Sequence, residues 1–568
     1  MRWAFSLASL LLLVAATSAR AATINVGPAD SYAKIEAAQP GDEVVVAPGT
    51  YKFRVYLTQQ ATPGKPILIH AADPMNPPVW DLSSTLVESA PGSYTASDRG
   101  RGCWQFSGAT NIHVSGLVIT GCHTAGANSA GVRYYNGSSG IVLSDIVFRD
   151  NDNGLTGGSQ DSEITVEFCE FDANGTLLAS SSSPSHNIYI YGGTFTLRYS
   201  YAHDPIQGQN FHIRAQTATL EYNWFARAKS YQGDLMTDDD DDGSGRFTQQ
   251  MLLRGNVIFQ GTTQSNASQI IAVYNDAGVS GLTLNVTLVY NTFVGPTGAS
   301  NGHAALVHLS NADGTTMSAE LDDNLIVGAG AATSIEDTTA GKVSGTHNWV
   351  SATTSATGLT GTIAEADPMF KDAANEDFTP GPGSAAIGAA SESIGNSLLP
   401  TAEYYRNETV ARLYRPRASA HDIGAFESTT SGAAMGPYGP AGAPGSGQAG
   451  TSGTRGGSPG TAGGRAGGPG GAAGRPGAGG IGGARTTGTG GFHNGGAWGT
   501  GGHLSGGAGA PGGAAGMPAG PGVGGAAGGG GGGGCSCAIA GSPTGSGLVL
   551  GLLGALALAR RRRTAARH

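Results

Sequence analysis

One phrase recurs through the middle of the chain and limits the fold more than any other feature. It pairs apolar residues around an asparagine, as in "LEYNWF", "LLRGNVIF", "LVYNTF", "LDDNLIV" and "THNWV". The asparagines are Asn223, Asn256, Asn291, Asn324 and Asn348, separated by 33, 35, 33 and 24 residues. Looser copies come earlier, with Asp145, Cys169 and Ser200 at the same place in "LSDIVF", "FCEF" and "YSYA". Self-similarity of this kind marks a stack of units, none of which can bury its apolar face alone. Each unit holds short β-branched and aromatic runs cut by Gly, Asn, Ser and Asp, with no helix-length Ala/Leu/Glu/Lys segment. Short strands at such a period predict a solenoid of parallel strands, with loops of variable length leaving one corner.

This pattern resembles the right-handed, single-stranded parallel β-helix of the pectin-lyase-like superfamily, an all-β fold. The recurring Asn fits that family's inward ladder of stacked amides. The opening "YAKIEAAQPGDEVVVAPGTY" (32–51) resembles the family's start, a short amphipathic helix over the open end followed by the first strand. An uncovered end strand would offer unpaired backbone to any passing chain. The helix and its cap are therefore expected over 22–363. "DPMFKDAANEDFTPGPGSAAIGAA" and "RPRASAHDIGAFE" resemble the C-terminal module of many secreted β-helix proteins, which predicts a cap over 364–427.

The two ends read as export devices. Residues 1–21 combine Arg2, an apolar run and Ala19-Arg20-Ala21, the order of a secretory signal peptide. The segment 428–534 is expected to be a disordered stalk, because 48 of the chain's 96 glycines fall within 431–534. Such a composition buries too little apolar surface to offset chain entropy. Residues 535–568 run from Cys535 through an apolar stretch long enough to span a bilayer to Arg560–Arg563. This tail resembles the MYXO-CTERM sorting signal of myxobacteria. The resemblance implies processing near Cys535 by sorting machinery, a membrane helix before that step, and surface display or release. Cys103, Cys122 and Cys169 remain, an odd number that permits one disulfide at most. Cys103 and Cys122 are paired in one reading and buried thiols in the other. With a net charge of −10 the chain lacks the basic face that nucleic-acid binding requires.

Stacking the coils on the ladder predicts faces, because side chains alternate along a strand. Glu167, Arg198, Glu221 and Arg254 then form an outer row of alternating sign. In "NFHIRA", Phe211 and Ile213 point inward, leaving His212 and Arg214 on the solvent face. A shift of 23 residues places Tyr189 beside His212 and Tyr191 beside Arg214. "GDLMTD", aligned with one deletion, puts Asp234 beside Asn210 and Asp238 beside Arg214. Tyr274 and His308 extend the row, and loops holding His203, Asp204, Arg227 and Lys229 surround it. Exposed tyrosines beside charges suit a polysaccharide, since sugar rings stack on aromatics and cations hold uronate carboxylates.

The acidic run "DDDDDGSG" supplies Asp238, Asp240 and Asp242 in the first half of a calcium-loop pattern, with Gln249 where a bidentate Glu would close it. With Asp234, these are the candidate ligands for Ca2+. The segment 210–238 resembles the chondroitinase-B and alginate-lyase family, in which a Lys and an Arg on neighbouring coils carry β-elimination near calcium. Arg214 stands where that family has its Lys; the family's Arg would fall in "LMTDD", which has none. His212, Arg214 and Lys229 are therefore the candidate catalytic residues, with His212 or Lys229 as base and Arg214 stabilising negative charge. Tyr189, Tyr191 and Tyr274 are the candidate substrate-binding residues. A hydrolase using two carboxylates among 204 and 234–242 is a lesser reading. The sequence thus predicts an exported lyase acting on an acidic glycan, or a surface protein that binds such a glycan without cleaving it.

Overall fold

The computed structural model describes residues 21–94, 100–176, 185–238, 248–261, 269–275, 281–295, 305–310, 316–328, 331–335, 341–391, 393–405, 412–429 and 432–440. The expected signal, the expected stalk beyond Pro440, Asp240, Asp242 and the Cys535 tail lie outside them. The described chain is a parallel β-helix. Its strands form three parallel sheets, here called A, B and C, of 13, 12 and 10 described strands. One coil shows the plan: Thr217–Glu221 in sheet A, Trp224–Ala226 in B and Gly233–Met236 in C. Apolar residues from all three sheets meet in one continuous core, which includes Phe148, Phe171, Ile213, Leu220 and Phe225.

The repeated asparagine makes the turn from A to B possible. The residue before it takes a left-handed backbone, with φ of 56° at Tyr222, 54° at Tyr290 and 56° at Asp323. That conformation costs a non-glycine residue about 1–2 kcal/mol. The amide that follows offsets the cost by satisfying backbone in the dry core. Asn256 Nδ2 donates to Leu220 O at 2.8 Å and to Asn291 Oδ1 at 2.9 Å, while its Oδ1 accepts from Asn223 N and Nδ2, both at 3.0 Å. The ladder continues through Asn291 and Asn324 to Asn348. Cys169 and Ser200 occupy it as expected, but Asp145 does not. Asp145 is the left-handed residue (φ 52°), and the alignment of Val147 with Glu170 puts Ile146 beside Cys169.

A second amide ladder, unforeseen in the sequence, runs along the turn from B to C. It links Asn151, Asn174, Asn187, Asn210, Gln232 and Gln260 by bonds of 2.7–2.9 Å. The outer charge row of sheet A is as expected. Glu167, Arg198, Glu221 and Arg254 are successive partners, with Arg198 on Glu167 at 2.7 Å and Arg254 on Glu221. Cys103 and Cys122 form a disulfide, and Cys169 is a buried free thiol.

Both ends depart in part from the sequence reading. The helix Tyr32–Glu36 is present and buries Ile35, but the strand Thr23–Val26 precedes it at the edge of sheet A. Glu36 Oε1 accepts the backbone N–H of Tyr56, on the edge strand of sheet C, at 2.9 Å. The C-terminal module was expected to close the far end; instead it lies along the outside of sheet B. Trp224 faces outward and packs on Phe378, Tyr404 and Phe426, while Ile423 joins Leu325 and Trp349. Farther back, Tyr414 stacks on Tyr199 at 4.1 Å, and Arg412 and Tyr438 both reach Asp145. The module also extends past Glu427, since Met435–Gly436 and Gly439–Pro440 complete its four-stranded sheet. The later coils of sheet B, around Trp224 and Trp349, are thus covered by the chain's own C-terminal region.

Candidate active site

Sheet C carries the candidate site. The strand Phe211–Arg214 buries Phe211 and Ile213 in the core and turns His212 and Arg214 outward. Tyr189 pairs with His212 and Tyr191 with Arg214, as the 23-residue shift implies. The next strand differs from expectation. Phe211 is opposite Gly233, so Asp234 stands beside His212 rather than beside Asn210. A Cβ at position 233 would overlap the Phe211 ring, so glycine is what allows this register. Asn210 instead meets Gln232, and Asp238 falls in the turn after the strand, with its N–H on Gln249 Oε1 at 3.2 Å.

The result is a hydrogen-bonded line across two coils. Arg214 donates from Nε to His212 Nε2 at 3.1 Å, and His212 Nδ1 lies 2.9 Å from Asp234 Oδ2. Because Nε2 accepts, the ring proton sits on Nδ1 and is donated to Asp234. Tyr189 packs edge-on against the His212 ring at 4.5 Å, and His186 stacks on that ring at 4.8 Å while also touching Tyr189. Tyr231 neighbours Asp234 and Tyr274, whose charges act on its hydroxyl. Tyr274 is opposite Met236 and His308 opposite Ala272, so both extend the two outward rows as expected.

Burial governs the electrostatics. His212 is 7% exposed and Arg214 2%, so the pair faces outward but is not on an open solvent surface. Burial, then the nearby Arg214 charge, holds the His212 pKa well below its usual value. Burial and the proximity of His212 depress His186 to about 3. Burial pushes the Asp234 carboxyl up to about 7, against the opposing pull of Tyr231, His186 and Arg214. Burial likewise raises Tyr231, keeping its hydroxyl protonated. At neutral pH the site therefore holds a neutral imidazole, a fixed cation, a carboxyl near its midpoint and a phenol able to donate.

Other expected members are placed elsewhere. Lys229 is exposed in the turn before Gly233, and no described hydrogen bond or ion pair joins it to His212. His203, Asp204 and Arg227 belong to sheet B and its turn. There Arg227 binds Asp204 at 2.8 Å and Glu376 of the C-terminal module at 3.1 Å. Asp204 therefore does not join Asp234 as a carboxylate pair. Gln249 is buried and turned inward, donating to the carbonyls of Arg214, Ala215 and Met236, so it is not arranged as an ion ligand. Asp234 gives Oδ2 to His212, while its buried Oδ1 has no described hydrogen-bond partner. Sequence reasoning missed His186 and Tyr231. Extending the 23-residue shift one residue back from Asn210 to Asn187 would have found His186 opposite Gln209, whose N–H it accepts at 3.2 Å.

Taken together, these features define a parallel β-helix with a buried polar site on one outer sheet. No protein-family model matches the chain, and no curated protein matches it. Among solved structures, an alginate lyase from Paenibacillus sp. str. FPU-7 is similar at 15% identity and a TM-score of 0.39, over 59% of this chain and 99% of that one. Pectate lyase Pel9A is similar at 13% identity and 0.39, over 72% and 96%. The catalytic unit of a thermostable α-1,3-glucanase from Streptomyces thermodiastaticus strain HF3-3 shows 14% identity and 0.36, over 61% and 68%.

Proposed function

We propose that this chain acts on an acidic, uronate-containing polysaccharide by β-elimination. The observation that carries the reading is the line Asp234–His212–Arg214 with Tyr231 at its end. Elimination needs a base for the proton beside the carboxyl group, a cation for that group and an acid for the leaving oxygen. In this proposal Arg214 turns from His212 to the sugar carboxylate, which frees Nε2. His212 Nε2 then takes the proton, and the electron pair forms the C=C bond as the C–O bond breaks. Tyr231 protonates the departing oxygen, and Asp234 steadies the imidazolium. Tyr189, Tyr191 and Tyr274 supply the rings on which sugars rest.

Incubating the purified chain with polygalacturonate or alginate should release unsaturated oligosaccharide, detected by its ultraviolet absorbance. His212→Ala and Arg214→Ala should each abolish release without altering the melting temperature by more than a few degrees. Wild-type protein yielding no product from any uronate polymer would sink the proposal. The near-complete burial of His212 and Arg214 favours a second reading, a glycan-binding protein without turnover. In that case both variants would weaken retention on acidic polymer while product never forms.

Calcium on Asp238, Asp240 and Asp242 is part of the proposal as a loop ion, and no chemical step runs through it. Calcium that leaves the melting temperature of the purified chain unchanged would remove it. Export is also proposed; the Cys103–Cys122 disulfide supports it, because such bonds persist in oxidising compartments. A mature surface protein that still carries Arg560–His568 by mass spectrometry would overturn processing at Cys535.

A further inference from the structure

The outward row of sheet C continues beyond Tyr189 toward the N-terminal end. Gln105, Arg133, Thr156, Tyr189 and His212 are successive partners on five adjacent strands. At the spacing of neighbouring strands, Arg133 stands ~14 Å from His212 along this row. It is a buried cation, 9% exposed, and its Nε has no hydrogen-bond partner. No side-chain hydrogen bond or ion pair joins Arg133 to any described residue.

Its surroundings make this unusual. Gln105 is fully committed, accepting Gly102 N–H at 3.2 Å and donating to the Tyr135 hydroxyl at 2.7 Å. Other arginines also leave a buried N–H unpaired, Arg254 Nε among them, but each of the following has at least one partner for its guanidinium. Arg54 donates to the carbonyls of Ala90, Tyr94 and Gly100, while Arg198, Arg227 and Arg254 hold carboxylates. A buried N–H without an acceptor is costly, and here the terminal nitrogens beyond it reach solvent without an anion among the described residues. The chain carries 41 acidic residues, yet the fold brings none of the described ones to Arg133. A group kept in this state at a cost to stability fits one whose partner arrives from outside.

We propose that Arg133 is the cation of an anion-binding subsite for an acidic sugar, remote from His212 on the same row. Its ligand is an oxyanion on the sugar, a uronate carboxylate or a sulfate ester, which the planar guanidinium grips through two parallel N–H bonds. This rests on the reading of sheet C as the glycan face. The subsite adds grip and selectivity for charge, and takes no part in bond breaking.

The test is affinity electrophoresis of the full chain through polygalacturonate, carboxyl-reduced polygalacturonate and dextran sulfate. Arg133→Gln should weaken retention on polygalacturonate by about tenfold, the usual effect of losing a charge-assisted bond. Arg133→Lys should recover part of it, and the reduced polymer should not distinguish the variants. The melting temperature of Arg133→Gln should equal or exceed that of wild type, because a cation with an unpaired buried N–H is removed. Dependence on Arg133 confined to dextran sulfate would support the subsite and assign the oxyanion to sulfate esters. Equal retention of wild type and Arg133→Gln on every acidic polymer would overturn the subsite while leaving the glycan function standing. An Arg133→Gln chain that melts well below wild type would also overturn it, by showing a structural role. Wild type retained on no acidic polymer would overturn both.

Discussion

Arg214 donates its Nε–H to Nε2 of His212, two residues back on the same strand, at 3.1 Å. This bond sets the imidazole tautomer, because an accepting Nε2 leaves the proton on Nδ1 facing Asp234. It also places a cation beside a ring that would itself become positive on protonation. Arg214→Met should therefore raise the pKa of His212, one of the two causes depressing it being removed. The shift would be read from the ring resonances of His212 in an NMR titration. An unchanged titration would mean that Arg214 does not govern the ring.

His186 should shape the acid side of the stability curve. Its folded-state pKa of about 3 lies below its unfolded value near 6.5. Between those values the unfolded chain binds a proton that the folded chain refuses. Stability is therefore present above about pH 6.5 and lost as pH falls toward 3, at up to about 1.4 kcal/mol per pH unit. Asp234 works the other way: with a folded pKa of about 7, its contribution is lost as pH rises from near 4 to 7. His186→Phe should remove one of these opposing slopes and flatten the decline on the acid side. Urea denaturation from pH 4 to 7 measures it, and an equally steep decline in the variant would refute the assignment.

The amide ladder predicts a large, local cost. Asn256→Ala removes a side chain with two donations and two acceptances, all in the core. Polar groups left unpaired there cost about 1–3 kcal/mol each, so a loss of ~3 kcal/mol or more is expected from urea midpoints. A loss under ~1 kcal/mol would show that water enters the turn and replaces the amide.

The outer charge row should behave in the opposite way. Arg198 is 39% exposed at its side chain, and its pair with Glu167 is screened by solvent. Arg198→Met should cost up to ~1 kcal/mol, less in high salt, and leave glycan retention unchanged. Lost retention at full stability would move the functional face from sheet C to sheet A.

Trp224 tests the docking of the C-terminal module. It points away from the solenoid core and is buried by Phe378, Tyr404 and Phe426. Trp224→Ala should cost about 3–5 kcal/mol and open the module to limited proteolysis before the solenoid unfolds. A digestion pattern identical to that of wild type would show that the module is held mainly by its polar contacts, such as Arg227 with Glu376.

Much of the fold was legible in the chain because the responsible signals are local and repeat. Alternation along a strand and a constant shift between coils place Tyr189 beside His212 and Tyr191 beside Arg214. The same reading recovers the outer charge row and the amides from Asn223 to Asn348. It failed by one residue at Asp145, where the ladder position is held by Ile146 and no amide marks the turn. It failed by two at Asp234, because the coil length changes there and Gly233, which sets the register around Phe211, carries no side-chain signal of its own.

By itself, then, the sequence determined which residues point inward, which point outward and which stack on one another through the regular coils. The tertiary structure decided what an outward residue meets. Trp224 and His212 both face out; one is covered by a module some 150 residues farther along the chain, as Phe378 shows, and the other is buried beside His186 and Asp234. The pKa values of His212 and Asp234 follow from that burial rather than from residue type. The physical reason is one of range: strand alternation is set by neighbouring bonds, whereas desolvation sums over every group that folding brings near, wherever it lies in the chain.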